Sequence, residues 1–405
     1  MTNRAYNNTL LCIMCGLLIF TPLARGTTRI WALSIMLSAS YLAIFLWFFR
    51  RTNSPAVSPL TKTKLDKAVI IFSFLAVVSF ILSCYKHDSL LALLRLFAYI
   101  GIYYLLINNF DENMFRKLLF TAVFIGTSLS VYGLLQYFGF LGHAWWYPYN
   151  FLAASYVNHS HFAGYLALVI PLTVGCIIKK HFYGKDLSLL FITALIIMAA
   201  AFILTQSRGA WFALSLSIIT VSMLALRNKP DLRKGIVTIA ILIVIAISLI
   251  YFSRAIMIDR INTLSEESRV RENSFATRLK IWQGSLEMIR ERPLVGFGIG
   301  NFDNGFYRYR PERLNRRAVY AHNEYLHMAA EMGILSIPLI LWIFVSIISS
   351  GIRVSSNPVA FGCTIGALSL ILHGLVDFNF HIPANMLLFI VTLSYIMYCK
   401  SRIKD

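Results

Sequence analysis

Apolar runs long enough to cross a bilayer recur along the whole of this sequence, and that recurrence confines the chain to a membrane architecture. About 20 apolar residues in a helix span the hydrocarbon core. Lipid offers no partner to an unpaired backbone group, so a crossing must be a helix or part of a closed barrel, and runs of this length are helices. Twelve spans are expected, at about 8–23, 30–49, 68–84, 89–108, 117–138, 161–178, 187–205, 210–226, 235–252, 333–350, 357–376 and 384–399. The fold class is therefore an all-α polytopic membrane protein: a single transmembrane domain over residues 1–405, with one long, partly helical loop at 253–322 inside it. Composition agrees, since 58% of the residues are apolar and 14% charged, too little charge to cover a soluble domain of this length. The first run follows Arg4 without a small-residue cleavage site, so it is expected to stay as a span.

Charge sets the orientation. With the N-terminus inside, the short inner loops carry fifteen Lys and Arg and the short outer loops four, the asymmetry that the positive-inside rule demands. Both termini are then cytoplasmic, and Lys400, Arg402 and Lys404 agree. The 253–322 loop falls outside; it holds 13 basic and 8 acidic residues, and long loops translocate largely regardless of charge. The net charge of +19 thus serves topology and anionic head groups. No groove-reading motif accompanies it, so nucleic acid is not an expected partner. Cys12 and Cys15 form a Cys-x-x-Cys inside a span, where packing is the expected role.

Within the long loop, Phe275, Leu279, Trp282, Leu286 and Ile289 recur at spacings of 4, 3, 4 and 3. This predicts an amphipathic helix ended by Pro293, with Arg278 in its first turn. Gly296, Gly298 and Gly300 follow that helix instead of linking a strand to one, so a flexible turn back to the membrane is expected, not a nucleotide cradle.

On this topology the conspicuous polar residues gather at the outer face: Arg25, Asn158, His159, His161, Arg208, Arg278, His322, Asp377, Asn379 and His381. Charged groups near hydrocarbon are expensive and tend to mark a substrate path. Plain alternatives stand beside this reading. Arg25 could simply snorkel to the interface, and Asp377 and His381, at helical spacing, could pair only with each other. His159-Ser160-His161 could chelate a metal, but no Asp or Cys stands nearby at ligand spacing, so no metal is expected. The loop around Arg208 is so short that its guanidinium must lie near the membrane surface, where it suits an anion. His322 lies in Ala321-His322-Asn323-Glu324-Tyr325-Leu326, where the long loop returns to the bilayer. A neutral imidazole there could take a proton from a hydroxyl; a histidine at a helix start is the plain alternative.

These stretches resemble the O-antigen ligase and polymerase superfamily of bacterial membrane proteins. Its ligase motif is a His, then Asn, Ser or Gln, nine residues, a Gly, two residues, and Gly, Thr or Tyr. His322, Asn323 and Gly333 match in register, and Ser336 departs at the last position. Ser207-Arg208-Gly209-Ala210-Trp211 is similar to the superfamily's short Arg segment, and Arg278-x-x-x-Trp282 with Pro293 to its outer loop. Asn158 to Pro171 is similar to its entry to a span, and Asp377 to Asn385 to its last outer turn.

The resemblance implies a GT-C-like, metal-independent glycosyltransferase of the O-antigen ligase type, without cofactor, in the bacterial inner membrane with its active site facing the periplasm. It would move a glycan from undecaprenyl diphosphate to an acceptor hydroxyl, that of lipid A–core in true ligases. His322 would be the catalytic base. Arg208, Arg278 and Arg25 would bind the donor diphosphate, since Arg meets phosphate oxygens in bidentate fashion. Asn323, Glu324, Asn158, His161 and Asp377 would support them. A polysaccharide polymerase or protein O-oligosaccharyltransferase would share this chemistry. A lipid-linked glycan transporter is a more distant alternative, because transporters place polar groups at mid-membrane depth.

Overall fold

The computed structural model describes residues 3–53, 59–141, 151–180, 182–183, 186–226, 274–311 and 317–403. Among these are fourteen α-helices and no strand. They are α1 (Asn3–Leu23), α2 (Ile30–Thr52), α3 (Asp66–Ile81), α4 (Lys86–Asn109), α5 (Glu112–Tyr137), α6 (His159–Ile178) and α7 (Ser188–Leu204). There follow α8 (Arg208–Leu226), α9 (Ser274–Glu291), α10 (Phe302–Phe306), α11 (Glu324–Met332), α12 (Ser336–Arg353), α13 (Pro358–His373) and α14 (Pro383–Ser401).

Eight of them, α1, α2, α4, α5, α6, α8, α12 and α14, are long and apolar enough to cross a membrane. The chain is an integral membrane protein. The expected count of twelve is not reached on length and composition. Apolar α7 and α13 have 17 and 16 residues, about 24–26 Å of helix against a core of about 30 Å. Helix α3 has 16 residues and begins on Asp66 and Lys67, and the expected span 235–252 lies outside the described residues.

The arrangement follows from which helices are apolar all round. From Ser160 to Cys176, α6 is buried at almost every position, as is α14 from Pro383 to Tyr398. Helices without a polar face belong in the interior. Helix α13 lies along α6, and small residues allow the close approach. A Cβ at Gly175 would come within 2.4 Å of the Pro358 carbonyl oxygen, and one at Gly362 within 2.1 Å of that of Pro171. Peripheral helices keep one bare apolar face: Phe45, Phe48 and Phe49 on α2, Phe212 and Met223 on α8, Val345 on α12. Lipid is the solvent such faces suit.

The loop helix forms as expected, but its buried stripe is rotated from the predicted one. Ile281, Ser285 and Met288 point inward, while Leu279 and Leu286 are 47% and 44% exposed. Phe275 lies outside the described side chains. The rotation is set by partners: Ile281 and Met288 join Phe297, Phe302, Phe306, Ala321 and Ala330 in a small core of their own. The indole of Trp282 also donates to the Ala321 carbonyl at 3.0 Å.

The glycine turn departs from expectation too. It is packed, not free. Phe297 and Gly298 donate their N–H groups to Ala330 and Glu331 carbonyls at 3.0 and 2.9 Å. The Ile299 N–H donates to Ser79 Oγ at 2.9 Å, and Ser89 Oγ donates to the Ile299 carbonyl at 2.6 Å. Gly296 has φ +63, and a Cβ there would meet the Glu331 carbonyl carbon at 2.3 Å. Glycine is needed here for backbone contact across α3, α4 and α11, not for mobility.

The charge asymmetry makes a prediction about sidedness. In a cysteine-free background, Arg290→Cys on α9 should react with an impermeant thiol reagent from outside intact cells, and Lys64→Cys only after lysis. Labelling of position 64 alone from outside would invert the topology and every outer-face assignment resting on it.

Candidate functional site

The histidine motif is a helix with its two ends. Asn323 caps α11, its Oδ1 accepting from the N–H groups of Tyr325 and Leu326 at 3.0 Å each. The nine residues that follow are the nine of α11. Gly333 ends it at φ +83, where a Cβ would lie 2.1 Å from the Leu294 carbonyl oxygen. Ser336, the departure from the motif, donates its hydroxyl to the Gly333 carbonyl at 2.7 Å and is fully buried. A small hydroxyl residue fits that turn.

His322 stands just before the cap in a left-handed conformation, φ +51. That is an uncommon state for a non-glycine residue, and one that concentrates at functional sites. Its ring meets Phe378 edge-on at 4.8 Å, and its side chain is 31% exposed. Nδ1 faces Asp377 Oδ1 at 3.9 Å, longer than a hydrogen bond. Such contacts in unliganded sites often tighten only in the substrate complex.

Asp377 is the centre of the cluster. It is 2% exposed, and three imidazoles surround it: His161 Nε2 at 3.7 Å and His322 Nδ1 at 3.9 Å from Oδ1, and His373 Nε2 at 3.7 Å from Oδ2. Oδ1 also accepts the Phe378 N–H at 2.9 Å. Burial pushes its pKa up, but His161, His373 and His322 outweigh that and hold the carboxyl well below its usual range. The same burial, with Arg278 and His161 adding to it and Asp377 opposing, pushes His322 down to about 4. His322 is therefore neutral at pH 7. A carboxylate behind Nδ1 favours the tautomer that keeps the lone pair on Nε2.

Glu324 holds the two halves together. Its N–H donates to the Gly374 carbonyl at 2.8 Å, Oε1 accepts the Phe380 N–H at 2.7 Å, and Oε2 lies 2.7 Å from His381 Nδ1. Burial disfavours the charged form of His381, but Glu324 more than compensates and raises its pKa. The alternative pairing of Asp377 with His381 is thus not the one formed: each has other partners, on opposite sides of one turn. Tyr320 stacks on Phe378 at 4.3 Å and completes the packing around His322.

The other expected site residues sort by position. Asn158 caps α6, accepting from the Ser160 N–H at 2.8 Å, and so sets the start of the helix that carries His161. His161 is held in place by the Asn385 side chain, which donates to its carbonyl at 2.9 Å. His159 does not join it as a chelating pair. It bonds Thr205 O through Nδ1 at 2.7 Å and stacks on Phe151.

Among the described residues, the group placed to hold a metal is instead His327, Glu331 and His381, with ligand atoms within 4.8 Å of one another. Its donors are already engaged within the protein. His327 Nδ1 accepts the Ala321 N–H at 3.3 Å, and its Nε2 lies 3.1 Å from Glu331 Oε1, which accepts the Phe302 N–H as well.

Arg278, half-buried in the first turns of α9, is one of the leading charges acting on His322 and His373. Arg208 is exposed at the first position of α8, where the helix N-terminus adds to its positive field. The next residue, Gly209, packs against Val376 and His373 beside Asp377. Neither arginine makes an ion pair with another described residue. Arg25 stands in a turn with φ +61 whose Gly26 packs against Tyr156 and Ile382, and it is not among the leading charges at His322.

His327, Glu331, His373 and Arg95 are not among the residues singled out from the sequence, and the last two carry a signal there. His373 lies inside an apolar run, and its signal was the spacing of four to Asp377. Arg95 is a lone cation within the apolar run of α4, a signal in itself.

A family model described as O-Antigen ligase matches residues 193–341, a stretch that contains Arg208, Arg278 and His322. The resemblance drawn from the motifs and this match agree. Part of the chain is also similar to a "Putative polysaccharide ligase" of Rickettsia prowazekii (strain Madrid E), 34% identical over 84 residues, which are 19% of this chain and 21% of that protein. A relative with the same description from Rickettsia typhi (strain ATCC VR-144 / Wilmington) is 34% identical over 86 residues, 20% of this chain and 21% of its own. The chain matches about a fifth of the length of each of these curated relatives.

Proposed function

We propose that this chain, whose residues 193–341 match the O-antigen ligase family, is a membrane glycosyltransferase that moves a glycan from undecaprenyl diphosphate to an acceptor hydroxyl. The observation that carries the reading is one turn with a neutral, partly exposed His322 backed by buried Asp377, with Arg278 among the leading charges acting on it and Gly209, the neighbour of Arg208, packed on His373. In the proposed step, His322 Nε2 takes the proton of the acceptor hydroxyl as its oxygen attacks the anomeric carbon. The bond from that carbon to the diphosphate oxygen breaks, and the diphosphate leaves with the electron pair. Arg208 and Arg278 stabilise the charge that develops on it, which is where fixed positive groups contribute most. The donor brings its own activated leaving group, so neither nucleotide sugar nor metal is required. Both substrates are held in the membrane plane, and much of the acceleration is positioning.

We place the site at the periplasmic face of the inner membrane, as the loop charges argue, and take the acceptor to be a lipid A–core sugar. A growing polysaccharide or a protein hydroxyl would use the same groups. Asn323, Glu324, Asn158 and His161 serve by position, as caps and staples of the segments that present His322 and Asp377.

The test is glycan transfer by purified protein in liposomes, with a lipid-diphosphate-linked glycan and candidate acceptors. Arg208→Lys and Arg278→Lys keep the charge and lose the planar fork. A hydrogen bond to a charged group contributes about 1.5–3 kcal/mol, so each variant should transfer roughly 10- to 100-fold more slowly while inserting normally. Wild-type rates in both would remove the diphosphate clamp from the mechanism. No transfer by the wild type to any acceptor would remove the reaction.

A further inference from the structure

On the other side of the Glu324–His381 staple, a groove of about 240 Å³ runs between α3, α4, α12 and α14. Its walls are apolar and aromatic, with Phe72, Leu96, Tyr99, Phe344, Phe389 and Leu393 among them. Its lining has four charged or titrating side chains apart from tyrosines, Arg95, Glu324, Glu331 and His381. Arg95 stands nine residues into α4, about 14 Å along its axis from Lys86. A guanidinium at that depth is costly unless something answers it.

Among the described residues nothing does. Glu324 is engaged by the Phe380 N–H and His381, and Glu331 by His327 and the Phe302 N–H. Among the described residues Arg95 makes no hydrogen bond and no ion pair within 4.0 Å. The guanidinium carries five N–H donors in a fork that matches phosphate, and no acceptor among the described residues fills them. The surroundings limit what could. Apolar walls beside lipid suit a hydrocarbon chain and leave a glycan or a bare ion unsolvated.

We propose that this groove seats one chain of an anionic phospholipid, with Arg95 binding its phosphate. The site is separate from the Arg208–Arg278 pair and does not depend on the transferase reading. It shares Glu324 and His381 with the His322 turn, so an occupant would buttress the wall behind the base.

Native mass spectrometry of delipidated protein in detergent tests this, with four probes: dioleoyl phosphatidylglycerol, dioleoylglycerol, dibutyl phosphate and inorganic phosphate. One tightly held phosphatidylglycerol per chain is expected, with at least tenfold weaker retention of the uncharged lipid and of both phosphates without long chains. Arg95→Gln should weaken phosphatidylglycerol retention roughly 10- to 100-fold, Arg95→Lys less, and Leu96→Trp, which fills the groove, should weaken it with the arginine intact. Arg208→Lys should bind as the wild type does, which separates this site from the diphosphate clamp. Undiminished binding by Arg95→Gln, equal retention of dioleoylglycerol, or inorganic phosphate binding as tightly as the lipid would each overturn the proposal.

Discussion

His322→Ala should insert and fold, retain the lipid-linked donor, and transfer glycan about 10²–10⁴-fold more slowly, the range that general-base assistance typically supplies. Donor binding survives because Arg208 and Arg278 are untouched. His322→Asn should behave alike, and it meets the objection from folding, since Asn tolerates the left-handed backbone found there. The pH profile is the sharper readout. A base with its pKa pushed down to about 4 stays neutral through the physiological range. The wild-type rate should therefore hold from neutral pH to about pH 5 and fall as the pH passes through 4, whereas an ordinary exposed histidine would lose activity near 6.5. His159→Ala is the better control, because His159 bonds the Thr205 carbonyl and makes no ion pair with Asp377 within 4.0 Å. His161 is not one, since its ring faces the same carboxylate. Wild-type transfer by both His322 variants would end the base assignment. Lost donor binding instead would move His322 into the diphosphate clamp.

Asp377→Asn should lower transfer by about 10²-fold or more and move the acid limb the other way from a simple loss of base. Burial is the main depressor of His322, and Asp377 is the group that opposes it. Removing the carboxylate should push the His322 pKa lower still, so the limb shifts to more acid pH as the rate falls. A limb that moves up, or an unchanged rate, would show that Asp377 neither orients nor supports the imidazole. Stability gives a second reading. A carboxyl held below its unfolded value stabilises the fold above that value, near 3.9, and the contribution is lost as the pH falls through the folded one. The variant should thus melt below the wild type at pH 7, and the gap should narrow below about pH 4.

Hydropathy is a property of consecutive residues, and what depends on it was legible from the chain alone. Run lengths identified a helical membrane protein, and eleven of the twelve expected stretches are helices. The histidine motif was legible too, since it encodes one helix: a cap at Asn323, nine residues, and a left-handed glycine. Residue types singled out His322, Arg208, Arg278 and Asp377, because charge near hydrocarbon is expensive wherever it occurs.

What tertiary structure alone decided is which of these residues face one another. Periodicity marked an apolar stripe on α9 through Leu279 and Leu286, yet Ile281 and Met288 are buried, because the small core they join comes from segments further along the chain. Spacing of four offered His381 to Asp377, but Glu324, 57 residues earlier, takes it, and His373 and His161 reach Asp377 from α13 and α6. The glycine spacing predicts a flexible turn, but the backbones of α3, α4 and α11 close on it. Arg95 meets the Glu324 turn only through packing of α4 against the last helices. Local pattern sets what each segment is. Burying polar groups among apolar helices then forces them to find partners, and those partners are set by which helices pack together.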